Sequence, residues 1–165
     1  MGQYMRLVIR NKPRNKGFTL IELLVSITIM MLMVGMGLAS YITFNEKQQL
    51  SGAAKELQSY FRSAQSRSRN GDVPAGCTKL EGYNIQMAQD TSVVTVRAIC
   101  DSGNFTQAEH NLTGGVMPST AIDMTFKVLS GGVTGAQNIT LLLGSRSYTF
   151  KVTAGGEISQ GQLNE

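Results

Sequence analysis

The chain has 165 residues and a mass of 17.8 kDa, the length of one ordinary domain. Hydrophobic residues make up 42% and charged residues only 16%, below the roughly 25% of an average soluble domain. That balance excludes a charge-rich disordered chain and argues against solubility along the whole length. One histidine, His110, and two cysteines exclude a site built from several histidines or a zinc site of cysteines alone, so neither a metal nor a cofactor is expected.

The net charge of +4 is unevenly distributed. Arg6, Arg10, Lys12, Arg14 and Lys16 lie in the first 17 residues with no acid among them, whereas the remainder sets ten Lys/Arg against eleven Asp/Glu. The basic character therefore belongs to the N-terminal tip and is not the footprint of a nucleic-acid-binding domain. From Phe18 to Asn45 the one charged residue is Glu22, in a run of Leu, Ile and Met long enough to span a bilayer as a helix. The positive-inside rule places the tip in the cytoplasm and the rest of the chain across the membrane.

Three readings of this run compete. A cleaved secretory signal has an apolar core of about 7–15 residues followed by small residues; here the apolar stretch is longer, and Gly35 to Ser40 falls inside it. A plain uncleaved anchor leaves Glu22 unexplained. The third reading takes Glu22 as functional, because a carboxylate in an apolar run is costly in lipid.

Lys16-Gly17-Phe18-Thr19-Leu20-Ile21-Glu22-Leu23-Leu24-Val25 resembles the class III signal of type IV pilins and pseudopilins: a basic leader ending in Gly, an aromatic first residue, and Glu four residues on. The resemblance implies that a membrane-embedded prepilin peptidase cuts between Gly17 and Phe18 and methylates the new Phe18 amine. It also implies that Glu22 pairs with the Phe18 amine of a neighbouring subunit, each charge being stranded without the other. The partners implied are the peptidase, other pilin or pseudopilin subunits, an inner-membrane assembly platform and the lipid bilayer. Many major pilins carry a helix-bending Pro late in this segment. This chain has Gly35 and Gly37 there, which mark either a stretch able to melt or close helix packing through Gly35 and Ala39.

Past Phe44 the helical pattern continues without a break. Leu50, Ala54, Leu57, Phe61 and Ala64 recur at spacings of three and four, one stripe of an amphipathic helix, and no Pro intervenes before Pro74. One helix is expected from about Phe18 to Asn70, ended by Asn70-Gly71. Arg62, Arg67 and Arg69 near its end suit the helix dipole. With Arg146 they are also the candidate residues of a DNA-contacting patch, the less economical reading.

Alternation with period two marks strands at Gly82–Ala88, Ser92–Cys100, Ile122–Val128, Asn138–Leu143 and Tyr148–Val152. Gly144-Ser145 reads as a tight hairpin turn and Ser130–Gly135 as a loop. Cys77 and Cys100 lie in the part expected outside the cytoplasm, where a bridge would close a loop of about 24 residues, worth roughly 3 kcal/mol. Two free buried thiols are the alternative. The expected fold is α+β: a long N-terminal helix packed on a C-terminal antiparallel β-sheet, divided as a leader over 1–17, a membrane and assembly helix over 18–45, and a head over 46–165 with an amphipathic helix at 46–70 and a sheet at 78–160.

Leu57-x3-Phe61-Arg62-x-Ala64-x2-Arg67-x-Arg69-Asn70-Gly71, followed by Cys77, is similar to the helix end of H-type minor pseudopilins and FimT-like minor pilins. The closing Tyr148–Ser159 resembles their last strand pair around a glycine turn. The resemblance implies a minor structural subunit of a pilus or secretion filament. The alternative is a competence pilin that captures DNA, although Gly144-Ser145-Arg146-Ser147 departs from the Gly-Arg-x-Arg loop of DNA-binding FimT-like proteins. Asn104, Asn111 and Asn138 each begin an Asn-x-Thr triplet and read as turn or strand residues. Asp90, Asp101 and Glu109 are too scattered for a calcium site. No nucleophile triad or phosphate loop can be assembled, so no enzyme activity is expected.

Overall fold

The structure, a computed structural model, describes residues 17–130 and 132–164, with the side chains of 36–39 excepted. The basic leader residues and the packing of Gly37 and Ala39 lie outside the described residues. The chain divides into two compact units, one ending at Ser40 and one starting at Tyr41.

Helix α1 runs Leu20–Asn70. Thr19 caps it: its Oγ1 accepts the Glu22 amide at 3.3 Å, and its carbonyl accepts the Leu23 amide at 3.2 Å. Thr19 and Glu22 stand three apart, the spacing of a capping box. In the N-terminal unit the apolar side chains are exposed, from Phe18 through Val34, and the helix is apolar and long enough to cross a membrane. The hydroxyls in this stretch turn inward on the helix, Ser26 Oγ to Glu22 O and Thr28 Oγ1 to Leu24 O, which satisfies them without water.

In the second unit the expected stripe is buried throughout: Leu50, Ala54, Leu57, Phe61 and Ala64, joined by Ala53. The helix ends in a paired cap. The amide of Gly71 reaches Ser68 O and that of Asp72 reaches Arg67 O, with Gly71 at φ +66°, a left-handed position that glycine fills without a Cβ penalty.

Among the described residues nine strands follow: β1 Leu80–Met87, β2 Val93–Cys100, β3 Gly103–Asn111, β4 Met117–Pro118, β5 Ile122–Lys127, β6 Val133–Thr134, β7 Asn138–Leu143, β8 Arg146–Lys151 and β9 Gln162–Asn164. They form two antiparallel sheets, ordered β3-β2-β1-β5-β6 and β4-β7-β8-β9, rather than the single sheet expected over 78–160. Phe61 shows why one helical stripe serves both. Its ring meets Phe126 of β5 at 6.1 Å and Phe150 of β8 at 6.1 Å, so one side chain closes the core against each sheet.

Three local differences from the sequence reading have physical causes. The expected loop Ser130–Gly135 contains β6, whose Val133 pairs with Phe126 and is buried. Strand β3 carries mostly polar, exposed residues, so it lacks the alternation that marks a strand with one buried face. Strand β9 lies beyond residue 160 and pairs with β8, with Tyr148 opposite Leu163. The hairpin at Gly144-Ser145 is as expected, with Leu143 paired to Arg146 across it. In the Tyr148–Ser159 segment, Val152 bridges Ile158 around Gly156.

Gly82 is required by a close approach. A Cβ there would lie 2.4 Å from the carbonyl oxygen of Phe126, and the β1–β2 register shifts between Leu80 and Gly82.

Candidate functional site

The N-terminal site is Gly17, Phe18, Thr19 and Glu22. Glu22 is in the first turn of α1 and exposed, and among the described residues no side chain meets its carboxylate. Its backbone, not its side chain, serves the helix cap. The positive end of the helix dipole favours a carboxylate in this turn, but a lipid environment still leaves its charge uncompensated. Phe18 is exposed. A Cβ added at Gly17 would meet nothing within 4 Å, and the residue is not at a positive φ. Among the described residues, therefore, nothing requires glycine at this position.

The disulfide joins Cys77 to Cys100, with Cα atoms 5.7 Å apart. It sits at the open end of the β1–β2 hairpin, where Leu80 pairs with Cys100 and Asp101 Oδ1 accepts the Lys79 amide at 3.0 Å. The bridge thus ties the turn after α1 to the end of β2.

The four arginines considered as one patch are not brought together. Arg146, the first residue of β8, pairs with the carboxylate of Glu46 and donates to Thr43 O at 3.3 Å. Glu46 and Arg62 are 16 helical positions apart, about 24 Å at 1.5 Å per residue. Arg62, Arg67 and Arg69 are exposed at the other end of this helical stretch. Sequence reading missed the Arg146–Glu46 pair because 100 residues separate the partners and neither has a local signal.

Two tyrosines at the contact between the helix and the first sheet are perturbed, Tyr60 on α1 and Tyr83 on β1. Burial, then the hydrogen bond from its hydroxyl to Glu56 Oε1 at 2.7 Å, then the charge of Glu56, push the Tyr60 phenol up to about 12. Tyr60 also stacks on His110 of β3, with centroids 4.3 Å apart and planes 11° from parallel. The Tyr83 phenol is raised chiefly by burial, with Arg67 pulling the other way. Its hydroxyl donates to Asp72 O at 2.6 Å. Among the described residues no group of three His, Cys, Asp or Glu is placed to hold a metal.

Residues 12–38 match the family described as the prokaryotic N-terminal methylation motif. No curated protein and no solved structure matches the chain. The motif at 12–38 and a long N-terminal helix over antiparallel sheets make the chain type IV pilin-like in signal and architecture, and that helix is long and apolar enough to cross a membrane. The signal implies processing by prepilin peptidase and assembly with other pilin-like subunits.

Proposed function

We propose that the chain is a minor, non-enzymatic structural subunit of a type IV pilus or type II secretion filament, of the H-type or FimT-like kind. Prepilin peptidase cuts it between Gly17 and Phe18 and methylates Phe18. The N-terminus lies in the cytoplasm, the helix over 18–45 crosses the inner membrane, and the head over 46–165 lies outside it until the subunit enters the filament. Glu22 then pairs with the Phe18 amine of a neighbour.

The observation that carries this reading is the N-terminal site. It joins the methylation motif at 12–38 to an exposed carboxylate with no partner among the described residues, and to a glycine that nothing among them requires. A glycine that packing does not need, placed before an aromatic residue and an unpaired acid, is accounted for by an external enzyme and an external amine. The competence alternative draws no support from the arginines, since Arg146 is held by Glu46 away from the other three.

The test is mass spectrometry of the protein from membranes of a cell carrying the peptidase. The expected chain begins at N-methylated Phe18. A chain beginning at Met1, or after Ser40, overturns the proposal.

A further inference from the structure

The head offers sheet edges of very different length. Strands β4, β6 and β9 are edges of two or three residues, and β4 contains Pro118. Short edges and proline are ordinary protections against unwanted strand pairing. The fourth edge, β3, is nine residues long and contains neither Pro nor Lys.

The hydrogen-bonding direction along β3 follows from its end. The Leu112 amide donates to Ser92 O at 2.9 Å, and the register then runs Val93 to Asn111, Val94 to His110, Thr95 to Glu109 and Val96 to Ala108. Antiparallel pairs alternate between bonded and non-bonded. His110 and Ala108 therefore turn their backbone groups toward β2, and Glu109 and Asn111 turn theirs outward. Both outward residues are exposed.

Beside this edge lies a cavity of about 60 Å³ between α1 and β3. Tyr60, Ser63 and Arg67 line it from the helix, and Gln107, Ala108 and His110 from the strand. Gln107 is there because of a bulge. The register passes from Val96–Ala108 to Arg97–Thr106 and leaves Gln107 unpaired, and a bulge at a sheet edge re-aims a side chain. The lining offers a guanidinium, two hydroxyls, an amide and an imidazole, and contains no carboxylate. Glu56, the nearest acid on the helix face, is taken up by the Tyr60 and Thr113 hydroxyls.

We propose that the β3 edge and its neighbouring cavity receive an extended acidic segment of another polypeptide, which adds to the sheet as a strand and places a carboxylate side chain against Arg67. The backbone groups of Glu109 and Asn111 supply main-chain hydrogen bonds, and the cavity supplies the side-chain preference, the division of labour of strand addition. Arg67, which also reaches the Tyr83 phenol, holds a carboxylate by a charge-assisted pair, with the Ser63 hydroxyl and the remaining Nε2 proton of Gln107, whose other proton goes to Phe105 O at 3.4 Å, as further donors. This inference rests on the head alone and holds whichever filament the subunit serves.

The test uses the full chain in detergent micelles. The probes are fluorescent, blocked peptides of alternating threonine and valine with a central glutamate, glutamine or lysine. The glutamate peptide is expected to bind about tenfold more tightly than the lysine peptide, a difference of about 1.4 kcal/mol. Arg67→Gln is expected to erase that preference and Arg67→Lys to keep most of it. Hydrogen exchange on the wild-type protein is expected to slow at the Glu109 and Asn111 amides when the glutamate peptide is added, and to stay unchanged at the already bonded Ala108 and His110 amides. Equal binding of the glutamate and lysine peptides, a preference that survives Arg67→Gln, or no new protection at Glu109 and Asn111 would overturn the proposal. So would protection of those amides on concentrating the protein alone, which would make a second copy the occupant, or their protection by a DNA duplex in place of the peptide.

Discussion

Breaking the Cys77–Cys100 bridge is expected to weaken the head without abolishing its fold. The sequence separation of 23 closes a loop of about 24 residues, whose entropy is worth roughly 3 kcal/mol on the loop-closure relation. The unit from Tyr41 onward has about 125 residues, and at about 2.1 cal/mol/K per residue its unfolding entropy is about 0.26 kcal/mol/K. The two figures together give a Tm lowered by about 11 °C. The fold should survive, because the stripe from Leu50 to Ala64 and its partners Phe126 and Phe150 do not depend on the bridge. The assay is thermal unfolding of the full chain in detergent, followed by near-ultraviolet circular dichroism. It compares wild type with Cys77→Ala, Cys100→Ala and the double variant. Removing either sulfur already opens the loop, so the single variants should lie close to the double. A Tm lowered by less than about 3 °C, or single variants that each lose only half of the double variant's effect, would refute a loop-closure origin.

Phe61→Ala should cost about 3–5 kcal/mol, because it removes the ring that packs on both sheets; denaturant unfolding measures it. Arg146→Ala should cost about 1 kcal/mol, since Glu46 is 45% exposed and is not left stranded, while the Arg146 side chain, only 16% exposed, loses packing along with the ion pair. Glu22→Ala should insert and keep its helix start, because the Thr19 cap uses the Glu22 backbone amide, yet enter filaments poorly; wild-type incorporation, scored by immunoblot of sheared filaments, would defeat the pairing. Tyr60 holds its proton more tightly when folded, so its contribution to stability is complete below about pH 10 and is lost as pH rises toward about 12. Chemical denaturation across that window should show a steeper alkaline loss in wild type than in Tyr60→Phe.

What the sequence disclosed depended on whether a signal was local. The stripe Leu50, Ala54, Leu57, Phe61 and Ala64 repeats within one element and is buried as its spacing requires. Ile122, Met124 and Phe126 alternate because one face of β5 meets the core. The methylation motif at 12–38 is legible for the same reason, because Gly17, Phe18 and Glu22 lie within six residues. Thr19 could have been recognised as the cap from its spacing to Glu22 alone.

The features that stayed hidden arise where distant elements meet. A helical stripe demands an apolar surface opposite it but does not say how many sheets provide that surface. The division into two sheets depends on which strands pair, and β4 and β9 are too short to show periodicity. Strand β3 is an edge whose residues face mostly solvent, so the hydrophobic alternation that reveals β5 has no cause to develop there. The exposure that concealed β3 in the sequence also leaves the backbone groups of Glu109 and Asn111 open to pairing. Selection against exposed edges ordinarily shortens them or places Pro or Lys on them, as the two-residue β4 with Pro118 illustrates. Strand β3 keeps its length and is interrupted by a bulge that supplies Gln107 to the neighbouring cavity, so the open backbone groups of Glu109 and Asn111 lie on the Asn111 side of that bulge, and the peptide experiment decides whether they take a partner strand.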